Sequence, residues 1–274
     1  MSLPLPTSLT PSKVSSFTDC ALAFRFSAID RLPEPPSAPA VKGSLVHRAL
    51  QFLMWEYEPV QRSPEAGRTC LERAIGELDS DPEFLALDLD AEARASMFTE
   101  AATLVDRYFA LEDPSTVRAI GMELRLEVQV GGVTLRGIID RLDLDADGGL
   151  VVTDYKTGRA PSEMRERHRL EGVQFYAFLC EEVLGQRPAR VQLLYLQDPV
   201  AIIATPSDQS IRGLQRRTQA IWSAIERSCQ REDFRPNPSR LCDWCAFKAY
   251  CPAFGGDPGL ATADPAGRAM ADVH

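Results

Sequence analysis

Four residues in the middle of the chain, Glu123, Asp140, Asp154 and Lys156, are of the types that divalent-metal chemistry on phosphates requires, and two hairpins decide how they meet. Gly131-Gly132 reads as a two-residue loop, so Val130 opposes Val133 and counting back sets Glu123 opposite Asp140. With 145–149 as a second loop, Leu144 opposes Leu150 and the same count sets Asp140 opposite Asp154. Directly opposed residues share a face, with Cβ atoms roughly 5 Å apart. Lys156 joins Asp154 on that face because side chains repeat every two residues. Opposed carboxylates repel unless a cation or a proton compensates them. Oxygen-rich clusters of this kind suit Mg²⁺ or Mn²⁺, and a neighbouring ammonium can orient a water and stabilise charge growing on a phosphate. On the plainer reading the aspartates merely flank turns and Lys156 pairs with one of them. The alignment of all three acids favours the metal, and a slip of one residue would undo it.

A second group of soft ligands lies far downstream. Cys242, Cys245 and Cys251 form C-x2-C-x5-C, a half-site needing a fourth thiolate. Spacing alone does not separate zinc from iron-sulfur, although a triplet with a distant partner leans toward a cubane cluster. The chain has 7 cysteines, an odd count that argues against a disulfide framework. Cys70, Cys180 and Cys229 sit in apolar helical contexts and read as small core residues.

The elements that must position these groups follow from periodicity. Thr10-Pro11 reads as an N-cap and a first-turn proline, opening a short helix through Cys20 to about Phe26. Residues 33–40, PEPPSAPA, read as a linker. Leu45, Val46, Ala49, Leu50 and Leu53 recur at helical spacing in a helix from Lys42 to Trp55, with further amphipathic stretches at 65–78 and 90–111. From Gly121 the period changes to two, giving a three-strand meander over 121–130, 133–144 and 150–156. A helix at 172–184, strands at 191–196 and 200–204, and a helix at 208–229 complete an α/β core, a central mixed sheet flanked by helices.

With these elements in place, GIIDRLD (137–143) followed by VVTDYKTG (151–158) resembles the PD-(D/E)xK nuclease signature, in particular its RecB-like exonuclease branch. The resemblance implies a restriction-endonuclease-like core in which Asp140 and Asp154 bind the metal with the backbone carbonyl of Tyr155, Lys156 handles the nucleophilic water, and Glu123 lies close by. His47, at the border of an apolar helix face one turn after Gly43, ordinarily reads as a boundary residue. KGSLVHRAL is however similar to the branch's GxxxH helix, which implies that His47 reaches the metal. The branch also carries a Gln followed four residues later by Tyr. Gln174 fits the first place, but Phe178 stands where Tyr is expected and Tyr176 is only two residues on. SRLCDWCAFKAYCPAF is similar to the iron-sulfur segment of AddB and of CRISPR-associated nucleases, where the fourth cysteine lies near the N-terminus. Cys20 fits that place and would complete a 4Fe-4S site with Cys242, Cys245 and Cys251. Such a clip closes a loop of more than 200 residues, which chain-entropy reasoning values at about 4–5 kcal/mol by analogy with a disulfide.

Composition sets the outer bounds. The chain has 274 residues, 45% hydrophobic and 25% charged, with a net charge of -9, which excludes coating nucleic acid through overall positive charge. Local basic surfaces are compatible with this. Arg212, Arg216, Arg217, Arg227, Arg231, Arg235, Arg240 and Lys248 face only Glu226, Glu232, Asp233 and Asp243 over 211–251. Arg159, Arg165, Arg167, His168 and Arg169 form another basic run, tempered by Glu163 and Glu166. No run approaches the ~18 apolar residues of a membrane helix, and the N-terminus lacks the build of a signal peptide, so a cytoplasmic protein without membrane partners is expected. The expected organisation is one nuclease domain over 12–254 with a disordered tail over 255–274. The expected activity is metal-dependent exonucleolytic hydrolysis from the ends of single-stranded DNA, leaving a 5′-phosphate, in repair or recombination. The competing reading is a non-catalytic iron-sulfur DNA-binding module acting with a helicase partner, since no ATP-binding P-loop occurs here. A further alternative is a zinc or iron-sulfur protein whose carboxylates are only structural.

Overall fold

The computed structural model describes residues 2–160 and 163–261; the side chains of 163–171 and 173 fall outside it. The described residues form two compact units. One contains 36–127 and 137–211, the other 1–35, 128–136 and 212–274.

The first unit holds helices α3 (Ala38–Glu56), α4 (Pro64–Leu78), α5 (Pro82–Leu85), α6 (Ala91–Tyr108) and α7 (Glu163–Leu184). The five-stranded sheet runs in the order β1 (Arg118–Val130), β2 (Val133–Leu144), β3 (Leu150–Lys156), β4 (Arg190–Tyr195), β5 (Val200–Ala204). β3 pairs antiparallel with β2 and parallel with β4, while β4 and β5 are antiparallel, so the sheet is mixed. The parallel β3–β4 pair requires a crossover, which α7 supplies. β2 and β3 meet at Leu144↔Leu150 and Arg141↔Thr153, the register that the loop arithmetic expects.

Local signals explain the helix starts. Ser37, Ser63 and Asp90 cap α3, α4 and α6 by accepting from the amides of Ala40, Ala66 and Ala93, and α3 and α4 carry proline in the first turn. This corrects the linker expected over 33–40: Ser37-Ala38-Pro39 is a cap and a first turn, so α3 begins four residues before Lys42. Leu45, Val46, Ala49, Leu50 and Leu53 are buried in a core shared with α4 and α6. Each fully buried leucine there contributes about 2 kcal/mol.

The second unit holds α1 (Pro11–Asp19), α2 (Ala21–Phe24), a π-turn at Arg25–Ile29, nearly all of α8 (Asp208–Arg231) and α9 (Pro258–Ala261). The single N-terminal helix expected from the sequence is broken at Cys20, whose backbone is extended (φ -158°, ψ 108°) while its amide still bonds Ser16 O. Leu9 is held against the β1–β2 hairpin by Leu9 N–H to Thr134 O (2.8 Å) and Arg136 N–H to Leu9 O (2.9 Å). Of the tail expected from 255, residues 258–261 form the turn of α9 and bury Ala261; 262–274 lie outside the described residues. No helix among the described residues is long and apolar enough to cross a membrane.

Candidate active site

The acids sit where β1, β2 and β3 are adjacent. Asp140 and Asp154 are both buried, and the Arg141↔Thr153 pairing makes them the next cross-strand neighbours. β1 contributes Glu123 in an unexpected way. Its φ of 48° places it in the left-handed region, which interrupts the simple alternation expected along this strand. One ligand atom each from His47, Glu123 and Asp140 lies within 4.8 Å of the others. Asp154 is turned toward Lys156, whose Nζ lies 2.5 Å from its Oδ2.

α3 delivers His47 because Gly43 lets this helix approach the end of β3. A Cβ on Gly43 would lie 3.2 Å from the Thr157 hydroxyl oxygen. One turn later, His47 Nε2 donates to the carbonyl oxygen of Tyr155 (3.1 Å), and Nδ1 lies 3.6 Å from Asp140 Oδ2. The same Asp140 oxygen accepts from the Tyr155 amide at 2.7 Å. Tyr155 thus links histidine and aspartate through its own peptide groups.

Burial disfavours charge at this site. It pushes Asp140 well above the ordinary aspartate range, with Asp154's negative charge adding to the effect and the Tyr155 amide opposing it. Burial also raises Glu123 and lowers His47. At Lys156 burial works against the charged form, yet Asp154, by charge and hydrogen bond, together with Asp140, keeps the ammonium more basic than an ordinary lysine. A neutral His47 with its proton on Nε2 directs the Nδ1 lone pair toward a carboxylate oxygen. A cation relieves that opposition, and the donor set of one imidazole, two or three carboxylates and a carbonyl fits Mg²⁺ or Mn²⁺.

This electrostatics has a measurable consequence. A carboxyl whose folded pKa is raised contributes stability below its unfolded pKa and loses it as pH rises through the folded value. For Asp140 and Glu123 that loss sets in from about pH 4 upward, and a bound divalent cation offsets it. Asp140→Asn is therefore expected to raise the melting temperature at pH 8 in EDTA, and Mn²⁺ to stabilise the unsubstituted protein more at pH 8 than at pH 5. Equal metal-induced shifts in melting temperature at the two pH values would contradict this.

Two contributions escape sequence reasoning. The Tyr176 ring packs against Gly137, where a Cβ would meet its ring carbons at 3.1 and 3.3 Å. Burial raises its phenol, and Asp154, Asp140 and Glu123 add to the effect, so its hydroxyl stands in the field of all three acids. Phe178 is buried. Gln174 is half-buried and has no side-chain hydrogen bond to another described residue. The basic side chains at 165, 167, 168 and 169 lie outside the described residues.

The other contribution is a buried polar network around Arg141, which is fully buried. Its guanidinium donates to Asp143 (2.8 and 3.0 Å), to both oxygens of Glu112, to Thr153 Oγ1 (3.2 Å) and to the Tyr155 hydroxyl (2.7 Å). Gln192 completes it, donating to Thr153 Oγ1 at 2.9 Å. Tyr155 is therefore held by its side chain in this network while its peptide groups face Asp140 and His47. The signal was present in DRLD: Arg141 and Asp143 are charged residues two apart in a strand, which places them together on one face.

In the second unit, Cys20, Cys242, Cys245 and Cys251 line a single cavity of about 410 Å³. Backbone amides point at the sulfurs: Asn237 N–H at Cys20 Sγ (3.5 Å) and Ser239 N–H at Cys242 Sγ (3.3 Å). Such donors favour thiolate ligands. Gly256 closes the loop over Cys251: a Cβ there would lie 2.2 Å from Ala249 O and 2.6 Å from Cys251 N, both backbone atoms that cannot move aside. Gly256→Ala is expected to destabilise this unit by about 1–3 kcal/mol and to lower its metal content. Unchanged thermal stability together with unchanged iron or zinc content would refute that expectation.

A mixed five-stranded sheet flanked by helices, with buried acids and a lysine on neighbouring strands, defines an α/β protein of the restriction-endonuclease-like fold. The family model for the PD-(D/E)XK nuclease superfamily matches residues 8–252, and the chain belongs to that superfamily. It is similar to the Gene 69 protein of Mycobacterium phage D29, 25% identical over 175 residues that make up 56% of this chain and 63% of the phage protein. Its fold is similar to the crystal structure of a candidate exonuclease from Eubacterium rectale, with a TM-score of 0.54, 12% identity and 87% of each chain covered.

Proposed function

We propose that this nuclease-superfamily chain is a divalent-metal-dependent deoxyribonuclease, an exonuclease that hydrolyses phosphodiester bonds from the ends of single-stranded DNA in repair or recombination. The convergence of His47, Glu123 and Asp140 beside the Asp154–Lys156 ion pair is the observation that carries this reading. Asp140, Asp154, His47 and the Tyr155 carbonyl would hold one or two Mg²⁺ or Mn²⁺ ions. The ion supplies Lewis acidity and neutralises charge on the scissile phosphate. Lys156, kept protonated by its acidic neighbours, donates to the attacking water and orients it. Glu123 would support the metal directly or through water, and Gln174 would position DNA or the metal-bound water. Attack of the water oxygen on phosphorus forms a new P–O bond as the P–O3′ bond breaks, leaving a 5′-phosphate and a 3′-hydroxyl whose proton the water supplies.

Cys20, Cys242, Cys245 and Cys251 would hold a 4Fe-4S cluster whose first role is structural. Supporting this are the shared cavity and the amides directed at the sulfurs. The decisive test is incubation of end-labelled oligonucleotides with the anaerobically purified protein in Mn²⁺, Mg²⁺ or EDTA. Ladder-like shortening with either metal and none in EDTA is expected, from a brown protein with visible absorbance. Intact DNA under all three conditions would overturn the nuclease reading, and a colourless protein carrying zinc would overturn the cluster.

A further inference from the structure

α8 carries a feature that the hydrolytic site does not use. Its buried face is made by Leu214, Thr218, Trp222, Ile225 and Cys229. At 100° per residue, Arg212, Arg216, Arg227 and Arg231 fall within an arc of about 100°, roughly opposite that face. All four are exposed. No ion pair or hydrogen bond joins any of their side chains to another described residue. They form a ridge about 28 Å long, and no acidic residue falls within its arc; Glu226 lies outside it.

A solvated helix face ordinarily mixes signs and gains from i,i+4 pairs of opposite charge. Here the i,i+4 pairs are Arg212/Arg216 and Arg227/Arg231, like charges that repel. Helix-dipole effects favour Arg227 and Arg231 near the C-terminus but oppose Arg212 and Arg216 near the start. The ridge is therefore a standing cost to α8 in a chain of net charge -9. Every charge in it is an arginine, whose planar fork matches phosphate oxygens.

We infer that the outer face of α8 binds the sugar-phosphate backbone of the single-stranded DNA substrate, each arginine contacting one phosphate. This rests on the nuclease reading for the identity of its ligand, but its test does not depend on catalysis. Fluorescence anisotropy of labelled (dT)₃₀ with the full chain in EDTA measures affinity across a salt series. Replacing all four arginines with glutamine is expected to weaken binding at least tenfold at low salt and to reduce the slope of log K against log[salt] by about 2.8, at ~0.7 per phosphate. The double variants Arg212→Gln/Arg216→Gln and Arg227→Gln/Arg231→Gln should each lose about half of that slope, which keeps the test sound if the quadruple variant folds poorly. Unchanged slopes in folded variants would overturn the inference. So would a change in sedimentation with DNA binding intact, which would assign the ridge to contacts between copies. A protein that binds through the ridge but never cuts would sink the nuclease reading and leave this one standing.

Discussion

Asp154→Ala is expected to reduce cleavage by at least about 10²–10³-fold while leaving the affinity for single-stranded DNA in EDTA within about threefold of the unsubstituted protein. On the proposed reading Asp154 acts twice: it would be a carboxylate for the metal, and it pairs with Lys156 and keeps that lysine charged despite burial. Its loss removes the largest influence opposing burial at the ammonium and leaves Asp140 as the remaining acid, which lowers the basicity of Lys156. Lys156→Ala should reproduce the loss of rate while leaving Mn²⁺ binding, measured by calorimetry, largely intact; Asp154→Ala should weaken both. An Asp154→Ala protein that cuts at the normal rate would remove the acids from the chemistry. Loss of cutting with affinity retained would equally dismiss a purely DNA-binding module, because such a module has no rate to lose.

Arg141→Met is expected to be the most destabilising single change in the first unit, costing about 3–5 kcal/mol. Glu112 and Asp143 would remain largely buried without their cation, and Tyr155 would lose the donor that fixes its phenol. For a chain of this size the fall in melting temperature is about 10 °C. Arg141→Lys should recover little, since one ammonium cannot reach Asp143, Glu112, Thr153 and Tyr155 together. Replacing Arg141, Glu112 and Asp143 jointly with apolar residues should restore much of the stability, because the cost lies in orphaned charge. Below the melting transition Arg141→Met should also cut more slowly, since the Tyr155 peptide holds Asp140 and His47. A melting temperature within a degree of the parent would refute this account.

The β2–β3 register was legible in the sequence because turn length dictates it: the aspartate-glycine loop over 145–149 sets Leu144 against Leu150. The approach of His47 was legible through Gly43, which has no side chain to hold α3 away from Thr157. What escaped was long-range or local to a single residue. The positive φ of Glu123 leaves no trace in an alternating pattern, since glutamate has no special liking for that conformation. Tyr176 could not be placed by spacing along its helix alone, because Gly137 on another element makes the room that its ring occupies. The break at Cys20 has neither proline nor glycine to mark it, and only the extended backbone of Cys20 separates α1 from α2.

The second unit brings Cys20 into one cavity with Cys242, Cys245 and Cys251, from opposite ends of the described residues. A chain emerging from the ribosome exposes Cys20 more than 200 residues before Cys242, Cys245 and Cys251, so this unit cannot close until residue 251 has been made. The segments that make the acid-bearing unit all end at residue 211, and they can assemble while the remainder is still being translated. A message truncated before codon 242 would therefore yield a protein with its acids in place and only one of its four clustered thiols.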